Sequence, residues 1–374
     1  MGPLHGIRIV ELAGIGPTQF CGMLLADMGA QIIRVRRPAA ADPGVDVPDR
    51  FNLMNRGRPT IDVDLKCGAG REFALRLCEK ADALFEGFRP GVMERLGLGP
   101  GECMARNERL VYGRMTGWGQ QGPLAQRAGH DTNYIALAGA LHGIGATDRP
   151  PPLPLNLIGD FGGGALYLAM GLLAALLEAG RSGKGQVVDA AMVDGTASLL
   201  TLFYGLVAGG LWTERRESNL LDGGAPFARC YETRDGKYVA VCALETTFFA
   251  ALLDALGIAD IDPADQYQAQ QWPAHRDILA SAFRRRTRDE WGELLRDVDA
   301  CATPVLTLGE AAQHEHARAR NAYVDIDGIR QPGPAPRFSR TASEARCAPS
   351  EPREAALATL RQWGFSEDEM QPVL

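Results

Sequence analysis

Short β-rich runs and stretches of helical spacing take turns along the N-terminal part of the chain. Residues 6–12 are rich in Ile, Val and Leu, residues 13–17 read as a turn, and residues 18–28 set Phe20, Leu24 and Leu25 on one side of a helix. Gly29 and Ala30 end that helix, and residues 31–35 form a second strand. Strand, turn, helix and strand in this order make the unit of a parallel sheet. The unit recurs: 60–66 alternates like a strand, 70–80 has helical spacing, 83–87 is a strand, 92–96 a short helix and 110–115 a strand. Two strongly apolar runs, 165–177 and 197–212, flank a strand at 186–191 and predict two buried helices. The pattern then changes. Residues 230–233 and 238–243 flank Arg234-Asp235-Gly236-Lys237, whose Asp-Gly pair marks a hairpin. Glu245 stands where the second hairpin strand gives way to a helix over 246–256. Residues 272–298 are largely helical, 330–343 extended, and 355–363 a last amphipathic helix.

Apolar residues make up 46% of the 374, enough for a sizeable core in one large domain or two ordinary ones. The net charge of −7 argues against a nucleic-acid surface but leaves room for a local basic pocket. The eight cysteines show no CxxC or CxxH spacing. They therefore predict no metal site and read as reduced thiols of a cytoplasmic protein. The opening MGPLHGIRIVELAG lacks the basic region and continuous apolar core of a signal peptide. Both apolar runs fall short of the roughly 18 residues of a membrane span, so no membrane partner is expected.

Candidate chemistry gathers at residues 129–164. This stretch opens with the pair His130-Asp131 and ends in Asp160-Phe161-Gly162-Gly163-Gly164, directly before an apolar run. That ending predicts a helix start with an acid at or near its cap, where unpaired N–H groups and the positive end of the helix dipole can hold an oxyanion. Basic residues recur at successive strand exits: Arg37, Lys66 and Arg89. One shared sheet edge would gather them into a pocket for a multiply phosphorylated ligand. The dinucleotide fingerprint GxGxxG is absent, since GIGPTQ (14–19) matches it only in part, so no nicotinamide cofactor is expected.

These stretches together resemble the family III CoA-transferase superfamily and, within it, racemases of α-methylacyl-CoA. The resemblance runs over nearly the whole chain. It is carried by RIVELAGIGP (8–17), EGFRPGVMERLGLGP (86–100), RMTGWGQQGP (114–123), GHDTNYIALAG (129–139), NLIGDFGGG (156–164), GKGQVVDAAMVDG (183–195), LDGGAPF (221–227), TPVL (303–306) and PAPRFSR (334–340). It implies an α/β fold: a large CoA-binding domain with a Rossmann-like parallel sheet over 1–190, completed by 328–374. Linker helices over 191–224 and a smaller α/β domain over 225–327 follow, in an interlocked homodimer. By motif position His130 and Asp160 match two catalytic bases, and Glu245 a partner of the histidine. Arg37, Lys66 and Arg89 match CoA-binding positions, and Thr116, Gly117, Tyr134 and Asn156 residues lining the thioester pocket. The implied reaction inverts the α-carbon of a 2-methylacyl-CoA by taking a proton from one face and returning one to the other, through an enolate. CoA is part of the substrate, and neither a metal nor a separate cofactor is expected. The helix-start N–H groups near Asp160 are expected to hold the enolate oxygen. The transferases of the superfamily instead use an aspartate nucleophile, matched by Asp160, to move CoA between a thioester and a free acid. They do not usually carry a histidine where His130 stands. A third reading is a CoA-thioester-binding protein without catalysis.

Overall fold

The computed structural model describes residues 2–38, 47–349 and 351–373. The expected alternation of strands and helices forms a sheet of six parallel strands: β1 (Arg8–Leu12), β2 (Gln31–Arg36), β3 (Thr60–Asp62), β4 (Ala83–Glu86), β5 (Val111–Thr116) and β6 (Val187–Ala191). Their order is β3-β2-β1-β4-β5-β6, with Val10 in register with Ile33 on one side and Leu84 on the other. Successive residues of a strand face opposite ways. Val10, Leu12, Ile33 and Leu84 therefore enter one core, with α2 (Gly68–Lys80) and the helix Pro352–Gln362. Ile9, Ile32, Ala83 and Phe85 enter a second core, with α1 (Pro17–Asp27) and α6 (Leu166–Ser182). Both faces are covered, as an all-parallel sheet requires.

Three sequence expectations are corrected. The strand expected over 60–66 pairs only through Asp62, although burial goes on alternating to Lys66. The apolar run 197–212 is two helices, α7 (Met192–Leu199) and α8 (Thr201–Ala208), broken at Leu200. The run 165–177 belongs to a longer helical stretch, Leu157–Ser182, which by length and composition alone could cross a membrane. In the fold one face of it, Leu168, Leu172 and Ala175, is buried, while Leu166, Met170 and Leu177 are exposed.

The chain divides into two compact units. One comprises Met1–Ala138, Pro154–Leu199 and Glu315–Leu374, the other Gly139–Leu153 and Leu200–His314. The second contains an antiparallel sheet of β7 (Ala228–Glu232), β8 (Tyr238–Cys242) and β9 (Ala302–Pro304). The Asp-Gly hairpin joins β7 to β8. The core of this unit is built around Phe227, Phe249, Phe283 and Trp291, the last three carried by α9 (Thr246–Leu256), α10 (Trp272–Phe283) and α11 (Arg288–Leu294), with Tyr231, Val239 and Val241 of the hairpin strands packed beside them.

Candidate active site

Parallel strands present all their C-terminal ends at one edge, and here the strand order reverses between β1 and β4. A crevice opens at such a reversal. The turn after β1 and the loop after β4 flank it. In the first, Gly16 has a positive φ (61°), which favours glycine, and a Cβ added there would lie 3.1 Å from Asp160 Oδ2. The carboxyl of Asp160 therefore rests against the backbone of the turn after β1.

Asp160 lies in the first turn of a helix, near the cap, as its position before the glycines suggested. The cap position belongs to Asn156, and Leu157–Ala165 winds as a π-helix that runs into α6. The reason is long-range packing. A Cβ at Gly163 would meet Thr196, and one at Gly164 would meet Met192, so the glycines let the wider turn seat against α7. Such π-turns often mark functional sites. Asp160 is half-buried, and the Asn156 side-chain amide donates to its Oδ2 at 3.2 Å. Burial raises its pKa first, the Asn156 bond opposes this, nearby Asp131 raises it further, and nearby His130 lowers it. These effects place His130, Asp131 and Asp160 in one electrostatic neighbourhood.

His130 is exposed and caps α5 (Asp131–Leu137), its backbone N–H donating to Asn133 Oδ1 at 3.0 Å. Asp131 beside it is buried. Its Oδ2 accepts the N–H groups of Gly159 and Asp160, each at 2.7 Å. One carboxylate thus ties the start of α5 to the π-helix and fixes His130 relative to Asp160. It also occupies two of the N–H groups near Asp160, those of Gly159 and Asp160. In the sequence Asp131 stood out only as half of the His130-Asp131 pair and carried no role of its own. The available signal was an acid next to a candidate base, with the glycine at 159 leaving room for it: a Cβ there would lie 2.7 Å from Asp131 Oδ2.

The other residues divide between support and exposure. Thr116, at the end of β5, is buried and its Oγ1 accepts the Gly119 N–H at 2.9 Å, shaping the glycine-rich loop. A Cβ at Gly117 would run into the Tyr134 ring. Tyr134 is buried, packs edge-on against Trp118 at 4.8 Å and donates its hydroxyl to the Gly129 carbonyl, bracing the residue before His130. Burial raises the Tyr134 pKa, Asp160 adds to the rise and Arg89 opposes it, which places Arg89 near the same group. Arg37, Lys66 and Arg89 are exposed, each beyond the end of a parallel strand. Arg36, by contrast, is paired with Asp62 at 2.7 Å. Glu245 belongs to the second unit, is exposed and caps α9. It is near Cys301, whose thiol is pushed up by burial first and by Asp299 and Glu245 next. A half-buried carboxyl and an imidazole held in one neighbourhood can each take or give a proton.

The family model for CoA-transferase family III matches residues 4–353. Alpha-methylacyl-CoA racemase of Mus musculus is 43% identical over 370 residues, covering 98% of this chain and 95% of that protein. The protein of the same name from Homo sapiens is 40% identical over 375 residues, with the same coverage of 98% and 95%. Among solved structures, a CaiB/BaiF family protein from Brucella suis superposes with a TM-score of 0.78 at 27% identity, covering 96% of this chain and 99% of that one.

Proposed function

The chain belongs to CoA-transferase family III, and on that premise we propose that it is a racemase that inverts the α-carbon of 2-methylacyl-CoA thioesters. The carrying observation is the joint placement of His130 and Asp160 on a frame fixed by Asp131. One group takes the α-proton, the electron pair moves onto the thioester oxygen as an enolate, and the other group delivers a proton to the opposite face. Asp160 suits both roles because burial makes its proton easier to keep than that of an exposed carboxylate. Glu245, matched by motif position to a histidine's partner, is assigned a supporting carboxylate role. Exposed Arg37, Lys66 and Arg89 are assigned to the phosphates of CoA. Thr116, Gly117, Tyr134 and Asn156 shape the thioester pocket, the first three by supporting its walls and Asn156 by bonding Asp160. CoA arrives as part of the substrate, and proton transfer asks for no further cofactor. The working form is a homodimer, whose subunits cover exposed Leu166, Met170 and Leu177. The unpaired cysteines suit a reducing compartment, the cytoplasm.

Transferase chemistry would use Asp160 as a nucleophile and would not need His130. The deciding experiment incubates the protein with a single-enantiomer 2-methylacyl-CoA and an added free carboxylic acid. The account expects loss of optical purity and no new acyl-CoA. New acyl-CoA, with an aspartyl intermediate trapped by hydroxylamine, would make the protein a transferase.

A further inference from the structure

The loop after β4 carries Arg89 and is gripped at both ends. Glu86, the last residue of β4, is fully buried, and its Oε2 accepts the Phe88 N–H at 2.6 Å. Its Oε1 accepts Arg114 Nε of β5 at 3.3 Å. The same guanidinium reaches past the loop to α3 (Val92–Arg95), where its Nη1 and Nη2 donate to the two carboxylate oxygens of Glu94 at 2.7 and 3.3 Å. Within the loop Phe88 packs on the first core, and the buried Pro90 accepts Gln126 Nε2 on its carbonyl at 3.1 Å. Gly91 turns the chain into α3 with φ 81°. Arg89 is exposed and has no ion-pair partner among the described residues.

Burying a carboxylate and a guanidinium at the end of a sheet is costly, and its return is a single fixed arrangement. On the reading that Arg89 binds a CoA phosphate, we propose that Arg114 is a positioning residue: by holding Glu86 and Glu94 on either side of residues 87–91, it fixes Arg89 where the phosphates of CoA lie. A guanidinium grips a phosphate best when its fork is already aimed, because a loose loop must be ordered at the moment of binding.

The test compares 2-methylacyl thioesters of CoA and of pantetheine, which lacks the nucleotide phosphates. Glu94→Gln, on a half-exposed side chain, keeps the shape and removes one arm of the grip. Arg114→Lys removes the fork itself. Arg106→Gln, in the exposed Arg106–Glu72–Glu79 network, is the control. Glu94→Gln is expected to raise KM for the CoA thioester about threefold to tenfold, with kcat within about twofold. Arg114→Lys is expected to raise it further, and both should leave the pantetheine thioester unchanged, so that the preference for CoA shrinks. Equal losses on both thioesters, or an unchanged preference, would overturn the proposal, and Glu94→Gln decides this even where Arg114→Lys does not fold. Wild-type protein with no preference for CoA over pantetheine would overturn the phosphate assignment of Arg89 and the grip with it, a result read without any variant.

Discussion

Asp131 joins the two candidate bases through a single oxygen. With Asn at this position, an amide oxygen can still accept the Gly159 and Asp160 N–H groups, but the negative charge is gone. Asp131 is among the causes that raise the Asp160 pKa, after burial. Asp131→Asn therefore lowers that pKa, and the acid limb of the kcat/KM profile moves to lower pH. An unmoved or raised limb would show that Asp131 does not act on Asp160 electrostatically. Asp131→Ala goes further and strands the two N–H groups. We expect it to cost about 1–3 kcal/mol in urea denaturation, the penalty of unsatisfied buried donors.

At the scale of elements, the site depends on the seat of the π-helix against α7. Gly195 meets the Gly163 carbonyl so closely that any Cβ would collide with it. Gly195→Ala should push α7 and the π-helix apart, cost about 1–3 kcal/mol, and lower kcat more than it raises KM, because Asp160 moves while the loops that carry Arg37 and Arg89 do not. Equal kcat with lost stability would separate the packing from the chemistry. This joint also shows why some elements were legible in the sequence and others were not. The strands ending at Leu12, Glu86 and Thr116 are short β-rich runs bounded by turns, and local pattern suffices to find them. The π-turn is invisible locally. Asp160 before three glycines marks a helix start, and only the approach of α7, some thirty residues on, selects the wider turn. The break at Leu200 was missed for a related reason: uniform apolar composition carries no mark of where one helix yields to another.

For the whole molecule, the parallel sheet and its crossing order placed Arg37, Lys66 and Arg89 at one edge, as strand exits alone had suggested. The proposed pairing of His130 with Asp160 comes from the resemblance to a family, since no periodicity links positions so far apart. The role of Asp131 required coordinates. Buried Glu86 adds a pH signature to the fold. Burial lifts its pKa from 4.5 to about 7, against the opposing pull of the Phe88 amide and Arg114. The folded protein holds that proton more readily than the unfolded chain. The stability it contributes is thus complete below about pH 4.5 and is lost as pH rises through about 7. Glu86→Gln should flatten this part of the stability curve, by roughly 3 kcal/mol at most, in denaturant titrations at about pH 5 and about pH 8; an undiminished slope would place the dependence elsewhere. The central claim concerns two bases on two faces. Its most direct measurement follows deuterium uptake from D2O into each pure enantiomer of a 2-methylacyl-CoA, using wild type, His130→Ala and Asp160→Asn. Wild type should exchange and racemise both. Each variant should lose racemisation by roughly a hundredfold or more and lose exchange chiefly from one enantiomer, with the two variants blocking opposite ones. Loss of exchange from the same enantiomer in both variants, or exchange untouched by His130→Ala, would contradict it.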